Sequence, residues 1–446
     1  MSITATSGVV SNIDYQSLIT QLVNVRKYSI NQLESEKSAL KSAQTAYSNL
    51  STKIKSLITA ADALKSGSAF SIFKTTTSES SYFTATAGST SAAGSYEVTV
   101  NSLAKAHRIA ADGVATDTTV IASAAGSFSF QVGSGDVQTV SVDSTTTLAG
   151  LRDSINALDA GVSATVVNEG TGANPYRLVL TSDTTGTGGA VTITQNDTTL
   201  AFSTTLQAAQ NASVTVDGIT FTRSTNSVSD IITGVSLDLT VADPLKTITL
   251  TVSRDSEEIG KKVKAIVDAY NGVASYVKAN NRYDSETKKG GPFFGDGVAR
   301  SVWEDLRRIM TSAVSGLPDS MNRLQHVGVK TGDDGLMAFD SSAFSTALSG
   351  SYDDVVKMFV KGESISGFGD LLYEAASDID DFVDGRIKGR QNGIDKNIKR
   401  LDDDIREKDA QLFIYEEQLR SQFTTLETML ASLQSQSNAL VNYFGG

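Results

Sequence analysis

The spacing of hydrophobic residues changes twice along the chain, from a helical period to an alternating one and back. Between Leu40 and Leu64 the apolar positions are Leu40, Ala43, Tyr47, Leu50, Ile54, Leu57, Ala61 and Leu64, in steps of three and four. Such steps keep one side of a helix apolar, and over several turns they make a coiled-coil seam. Carried back, the same frame meets Leu33, Leu22 and Ile19 but also Glu36, Ser29 and Arg26, so the seam is expected to fail before Leu40. Asp14 is placed to cap this helix by accepting from the N–H groups of its first turn. The spacing predicts one helix from about Asp14 to Leu64.

After Gly67 the chain turns rich in Thr, Ser, Gly and Val, and the period becomes two. Tyr96–Val100, Ser127–Phe130, Arg177–Leu180 and Val191–Ile193 read as strands by alternation and β-branched content. Val214–Val216, Asp217-Gly218 and Ile219–Phe221 read as a hairpin, because Asp-Gly tolerates the positive φ of a two-residue turn. Leu148–Leu158 is one amphipathic helix within this region, with Thr147 as its cap. From Asp255 the helical period returns in Ile259, Val263, Ile266, Tyr270, Val273 and Val277. Val298–Val314 reads as a further helix, Val327–Phe339 as a small hairpin turning at Asp333-Asp334-Gly335, and Ser341–Val383 as short helices.

The last helix is the clearest. Every seventh residue from Ile398 is apolar: Ile398, Ile405, Leu412, Leu419, Leu426, Leu433, Leu440. The companion column is Ile394, Leu401, Lys408, Tyr415, Gln422, Met429, Gln436 and Tyr443. A helix over that span is roughly 75 Å long at ~1.5 Å per residue. A helix with one apolar column owes most of its stability to the surface it packs on, and the N-terminal helix is the natural partner. The expected trunk sets Leu40–Leu64 beside Ile394–Leu412, with the outermost stretches ordered only against a partner.

The predicted fold is therefore α+β and multidomain, with terminal helices forming a coiled coil and helical bundle and two β-rich domains inserted between the helical halves. Composition shifts divide it into a terminal coiled-coil leg (1–39 with 408–446), a helical bundle (40–72 with 254–407), an inner β-rich domain (73–106 with 205–253) and an outer β-rich domain (107–204).

Composition removes much chemistry from this picture. The 446 residues are 40% hydrophobic and 20% charged, which fits folded soluble protein. No apolar run approaches the ~18 residues a membrane span needs, and the Ser/Thr/Gly-rich start lacks a basic stretch followed by an apolar core, so no ordinary secretory signal is read. Cysteine is absent, which excludes disulfides and thiolate chemistry. A net charge of -12 argues against nucleic acid and anionic lipid. The only histidines, His107 and His326, have no neighbouring arrangement that points to a triad. Asp402-Asp403-Asp404 point in different directions on a helix and make a poor metal cage. Asp333-Asp334-Gly335 lacks the spacing of a calcium loop, and Gly133-Ser134-Gly135 lacks the third glycine of a dinucleotide fingerprint. The expectation is no enzyme, no cofactor and no metal. Lys408, Gln422 and Gln436 interrupt the seam at intervals of two heptads, either as polar devices facing a subunit interface or as an edge open to solvent.

Taken in order, several segments resemble the flagellar filament cap family, flagellar hook-associated protein 2. They are Asn12-Ile13-Asp14 with Leu18, Ile19 and Leu22, where Asn12 replaces the family's Gly; Thr147-Leu148 through Ile155-Asn156, Gly161–Ala164, Leu178–Ser182 and Gly186, similar to a flagellin module; Asp217-Gly218-Ile219 with Asn226 and Ile232–Leu237; Val267–Asn271 with Gly291-Pro292 and Gly295-Asp296; and Val327–Val329, Gly335-Leu336 and Val355–Phe359. The resemblance implies a secreted protein at the tip of the bacterial flagellum, exported unfolded through the flagellar type III channel without a cleaved signal. It implies a homo-oligomeric ring of roughly four to six subunits, helical legs on the filament and a β plate above it, under which arriving flagellin folds and inserts. The implied partners are further copies of the chain, flagellin, the hook–filament junction protein and a cytoplasmic export chaperone that covers the C-terminal end. The residues expected at the filament or subunit interface are Leu18, Leu22, Leu419, Gln422, Leu426, Leu433, Gln436, Leu440, Tyr443 and Phe444. Competing readings are another flagellar axial protein, flagellin or junction protein, and a surface adhesin. The helical half after Asp255 favours the cap, and the lone Trp303 falls on a helix, which leaves the β region without a tryptophan for sugar stacking.

Overall fold

The computed structural model describes residues 13–363 and 365–444; Asn12 lies outside them. Its α-helices are α1 (Tyr15–Asp62), α2 (Leu148–Ala157), α3 (Ser256–Asn280), α4 (Gly297–Thr311), α5 (Ser341–Gly350), α6 (Tyr352–Phe359), α7 (Phe368–Ile379) and α8 (Arg386–Phe444). The chain divides into two compact units, Met1–Phe70 with Ile259–Gly446, and Ser71–Glu258.

The helical unit is organised by α1. Asp14 caps it as expected, its carboxylate accepting from the Ser17 N–H at 2.9 Å. Tyr47, Leu50, Ile54, Leu57, Ala61 and Leu64 are all fully buried, and the Tyr47 ring meets Phe293 at 5.0 Å between centroids. On α3, Tyr270 and Asn271 dock the hairpin of Val329–Thr331 and Met337–Phe339. Tyr270 donates to the Gly335 carbonyl at 3.0 Å, and the Asn271 amide both donates to the Met337 carbonyl and accepts from its N–H. Asp296 caps α4 through the Val298 N–H and takes a 2.8 Å ion pair from Arg390 of α8.

The trunk differs from the expectation. Contacts between α1 and α8 pair Ser48 with Gln391, Gln44 with Asp395, Lys37 with Asp402, and Arg26 with Tyr415, in one steady antiparallel register. Ile394–Leu412 therefore lies beside the stretch of α1 around Ile30 to Gln44, while α1 nearer its C-terminal end packs on α7. Lys55 pairs there with Asp380, and Lys65 covers the Tyr373 ring. The register is set by polar partners that a count of apolar residues does not weigh. The start of α8 also differs: it begins at Arg386 and runs through Gly389 and Gly393. Burial of Ile387 and Ile394, with the Arg390–Asp296 pair, outweighs the ~1 kcal/mol that each glycine costs inside a helix.

The second unit is β-rich. A five-stranded antiparallel sheet in the order Phe73–Thr77, Ile248–Arg254, Gly94–Ser102, Ala212–Val216, Ile219–Arg223 packs with a three-stranded one, Ser227–Ile232, Val235–Leu239, Phe83–Ala87. Val98, Val100, Val214, Leu237 and Leu250 form their shared core. A second core around Phe128, Phe130, Leu148, Leu151, Ile155 and Leu180 joins α2 to the sheets of Thr204–Gln207, Ala106–Ala110, Tyr176–Thr185, Val162–Asn168 and of Gln138–Val142, Gly126–Val132, Val191–Asn196. Thr147 caps α2 through the Gly150 N–H at 3.1 Å. Asp217 and Gly218 sit at φ +48° and +81°, the left-handed pair that a tight hairpin turn requires.

Candidate functional site

The pairing of the two chain ends is built from alternating apolar and polar contacts. Reading α1 inward from its start, Tyr15, Ile19, Ile30 and Ala43 are buried, with Val23 and Leu33 half-buried. Leu22 is 41% exposed and Glu36 is exposed, while Ser29 is half-buried beside Ile30. The seam thus continues before Leu40, but through Val23, Ile30, Lys37 and Gln44, one residue on from the expected column. The reason is that Lys37 and Gln44 find carboxylates on α8, so a polar seam position there is favourable. The Lys37 ammonium in turn holds the Asp402 carboxyl below the ordinary carboxylate range. Arg26, which interrupts the apolar pattern, lies 3.8 Å from the centroid of the Tyr415 ring and closes the seam by a cation–π contact. A 280 Å³ groove between the helices opens beside it, lined by Val25, Tyr28, Ile30, Lys408 and Leu412 among others.

At the outer end Tyr15 meets Phe423 with centroids 4.7 Å apart, and Arg420 donates to Gln16 at 3.1 Å. Phe423 is the residue that meets Tyr15 there, whereas heptad spacing puts Gln422 in the column. Their signal in the sequence is an aromatic residue in the first turn of one helix and another past the middle of the other.

The expected interface residues separate into two groups. Leu419 is buried, with 9% exposure, and spends its surface inside the chain. Leu18, Leu22, Leu426, Leu433 and Leu440 are 40–57% exposed, and Gln422 and Gln436 are exposed. Tyr443 and Phe444 lie on the last turn of α8, and their side chains fall outside the described set. Beyond Phe423, α8 continues for about six turns without an α1 partner among the described residues, and Leu426, Met429, Leu433, Leu440 and Val441 stand exposed along it. A monomer does not retain so many large apolar groups in a row without something to cover them.

Of the groups considered for chemistry, Asp402 is paired with Lys37 and Asp403 with Arg406, and the His107 Nδ1 accepts from the Val191 N–H. Among the described residues no three His, Cys, Asp or Glu side chains are placed to hold a metal ion, and no helix is long and apolar enough to cross a membrane.

Comparison with known proteins bears on the same surfaces. A family model described as flagellar hook-associated protein 2 C-terminus matches residues 209–435, and one for the N-terminus matches 11–107. A model of the flagellin hook IN motif matches 127–184, over the second β core. The chain is 29% identical to the B-type flagellar hook-associated protein 2 of Pseudomonas aeruginosa, covering 97% of this chain and 96% of that protein. It is 28% identical to the flagellar hook-associated protein 2 of Escherichia coli K12, covering 98% and 97%. The crystal structure of the flagellar cap protein D1-D2-D3 domains from Escherichia coli superposes with a TM-score of 0.61 at 26% identity, covering 78% of this chain and 99% of that one.

Proposed function

The chain belongs to the flagellar hook-associated protein 2 family, and on that premise we propose that it caps the distal tip of the bacterial flagellar filament, outside the cell, and promotes the folding and insertion of arriving flagellin subunits. The observation that carries this reading is the unequal pairing of the chain ends. A coiled coil closed by Tyr15 and Phe423 hands on to a bare stretch of α8 whose apolar face is exposed. Such a stretch suits a leg that is ordered and covered by contact with the filament.

Four parts would share the work: legs from 1–39 and 408–446, a bundle from 40–72 and 254–407 that holds them, and inner and outer β-rich domains that form a plate. Leu18, Leu22, Leu426, Leu433 and Leu440 would contact the filament or neighbouring subunits, with Gln422 and Gln436 at the edge of that contact and Tyr443 and Phe444 at its end. The chain would assemble with copies of itself into a ring, meet flagellin beneath it and the hook–filament junction protein, and travel to the export channel with a chaperone over its last turns. Its action would be binding and confinement, with no bond made or broken. Negative-stain microscopy of the purified chain separates this from the other axial readings: small rings support a cap, and long filaments from the chain alone would refute it.

A further inference from the structure

Two features of the helical unit are complementary in charge. The turn between α7 and α8 presents Phe382 and Val383 at 80% and 73% exposure. It is a fixed tip, because the Asp381 carboxylate accepts from the N–H groups of both Val383 and Asp384 at 2.8 Å. Asp378, Asp381 and Asp384 flank it in the chain as exposed acids, and the one cation beside the Phe382 ring among the described contacts is Lys388, 5.0 Å from its centroid. Elsewhere in the unit, at the C-terminal end of α4, lies a cavity of about 670 Å³. Its apolar floor is Met310, Leu324 and Val329, and its rim carries Arg323, His326 and Lys330 with no carboxylate. The His326 Nδ1 is buried there without a hydrogen-bond partner. A basic-rimmed apolar pocket is unusual on a chain of net charge -12, and it selects an apolar residue carried among acids. The tip fits that description. Its exposure shows that it does not occupy the pocket of its own chain.

We propose that the Phe382–Val383 tip of one copy seats in the Arg323–His326–Lys330 pocket of a second copy. The two patches differ, so the contact is head-to-tail and repeats from copy to copy, closing a ring where the rotation allows. An aromatic anchor in a pocket ringed by charges is the arrangement in which one residue dominates binding. This inference rests on the ring reading above and supplies one of the contacts that would build it.

The chain has no cysteine, which makes cross-linking a clean test. Val383→Cys and Gln325→Cys, each in the full chain, are purified separately, mixed and oxidised; Gln325 lines the pocket. The expected product is a disulfide-linked pair containing one of each variant, since only cysteines whose Cα atoms approach within about 7 Å can be bridged. Lys330→Glu or Asp384→Lys added to the respective partner should lower its yield about tenfold, and the two together should restore it. Absence of the mixed product while light scattering reports the full ring mass overturns the proposed contact and leaves the ring intact. Val383→Cys pairing only with itself overturns it as well. A chain that stays monomeric at every concentration overturns both the contact and the ring.

Discussion

The ring of Tyr15, in the first turn of α1, packs against that of Phe423, in the outer third of α8, with centroids 4.7 Å apart. Among the described residues this is the outermost contact between the paired ends. Phe423→Ala should leave the thermal midpoint of the bundle nearly unchanged, because the pair contributes only about 0.5–1.5 kcal/mol beyond its area. Hydrogen exchange should instead rise in the first turns of α1 and in α8 around Leu419. Faster exchange spread through α3 and α4 would show that the outer pair supports the whole bundle.

Asp296 and Arg390 tie α4 to α8, with the Asp296 side chain 8% exposed. Removing one partner of a largely buried pair strands the other, and Arg390 is partly open to solvent, so Arg390→Met should cost about 2 kcal/mol in urea unfolding. Burial alone would push the Asp296 carboxyl up. The Tyr47 phenol, the Arg390 guanidinium and the Val298 N–H outweigh it and hold the group below its ordinary 3.8. A depressed carboxyl contributes stability that is present above the unfolded value and lost as the pH falls through the folded one. The gap between wild type and variant should therefore be constant from neutral pH down to about 4 and close below it.

A Cβ added at Gly218 would meet nothing within 4 Å, yet the residue sits at φ +81°. Gly218→Ala consequently isolates the backbone term. It should destabilise the β-rich unit by about 1 kcal/mol, read by chemical denaturation of that unit's signal. No change at all would contradict the left-handed turn.

Leu433→Ser with Leu440→Ser alters exposed groups only, so the melting temperature should move by less than about 1 °C. If the bare end of α8 grips the filament, the variant should still fold but should lose filament attachment in co-sedimentation. Gln422→Leu with Gln436→Leu should keep the fold and shift the oligomer mass by light scattering.

The helical ends, the inserted β region, both caps on α1 and α2 and the Asp217-Gly218 hairpin were legible in the sequence, because period and cap chemistry are local. The trunk register was not. The residues that set it are Lys37, Gln44 and Arg26, and each reads as a flaw in an apolar column until its partner on α8 is known. The exposed tip at Phe382 was hidden for a related reason: two apolar residues between acids look like the end of a short helix, and only burial shows that they stay largely open to solvent. Leu419 and Leu426 stand one heptad apart in the same column, and the sequence could not divide them; the length of α1 does, by ending between them.

Action at the filament tip is tested most directly by removing the chain from the bacterium that makes it. The expected result is short or absent filaments, with folded, monomeric flagellin accumulating in the medium and restored filaments when the chain is supplied again. Filaments of normal length and number in its absence, with no flagellin released, would contradict it.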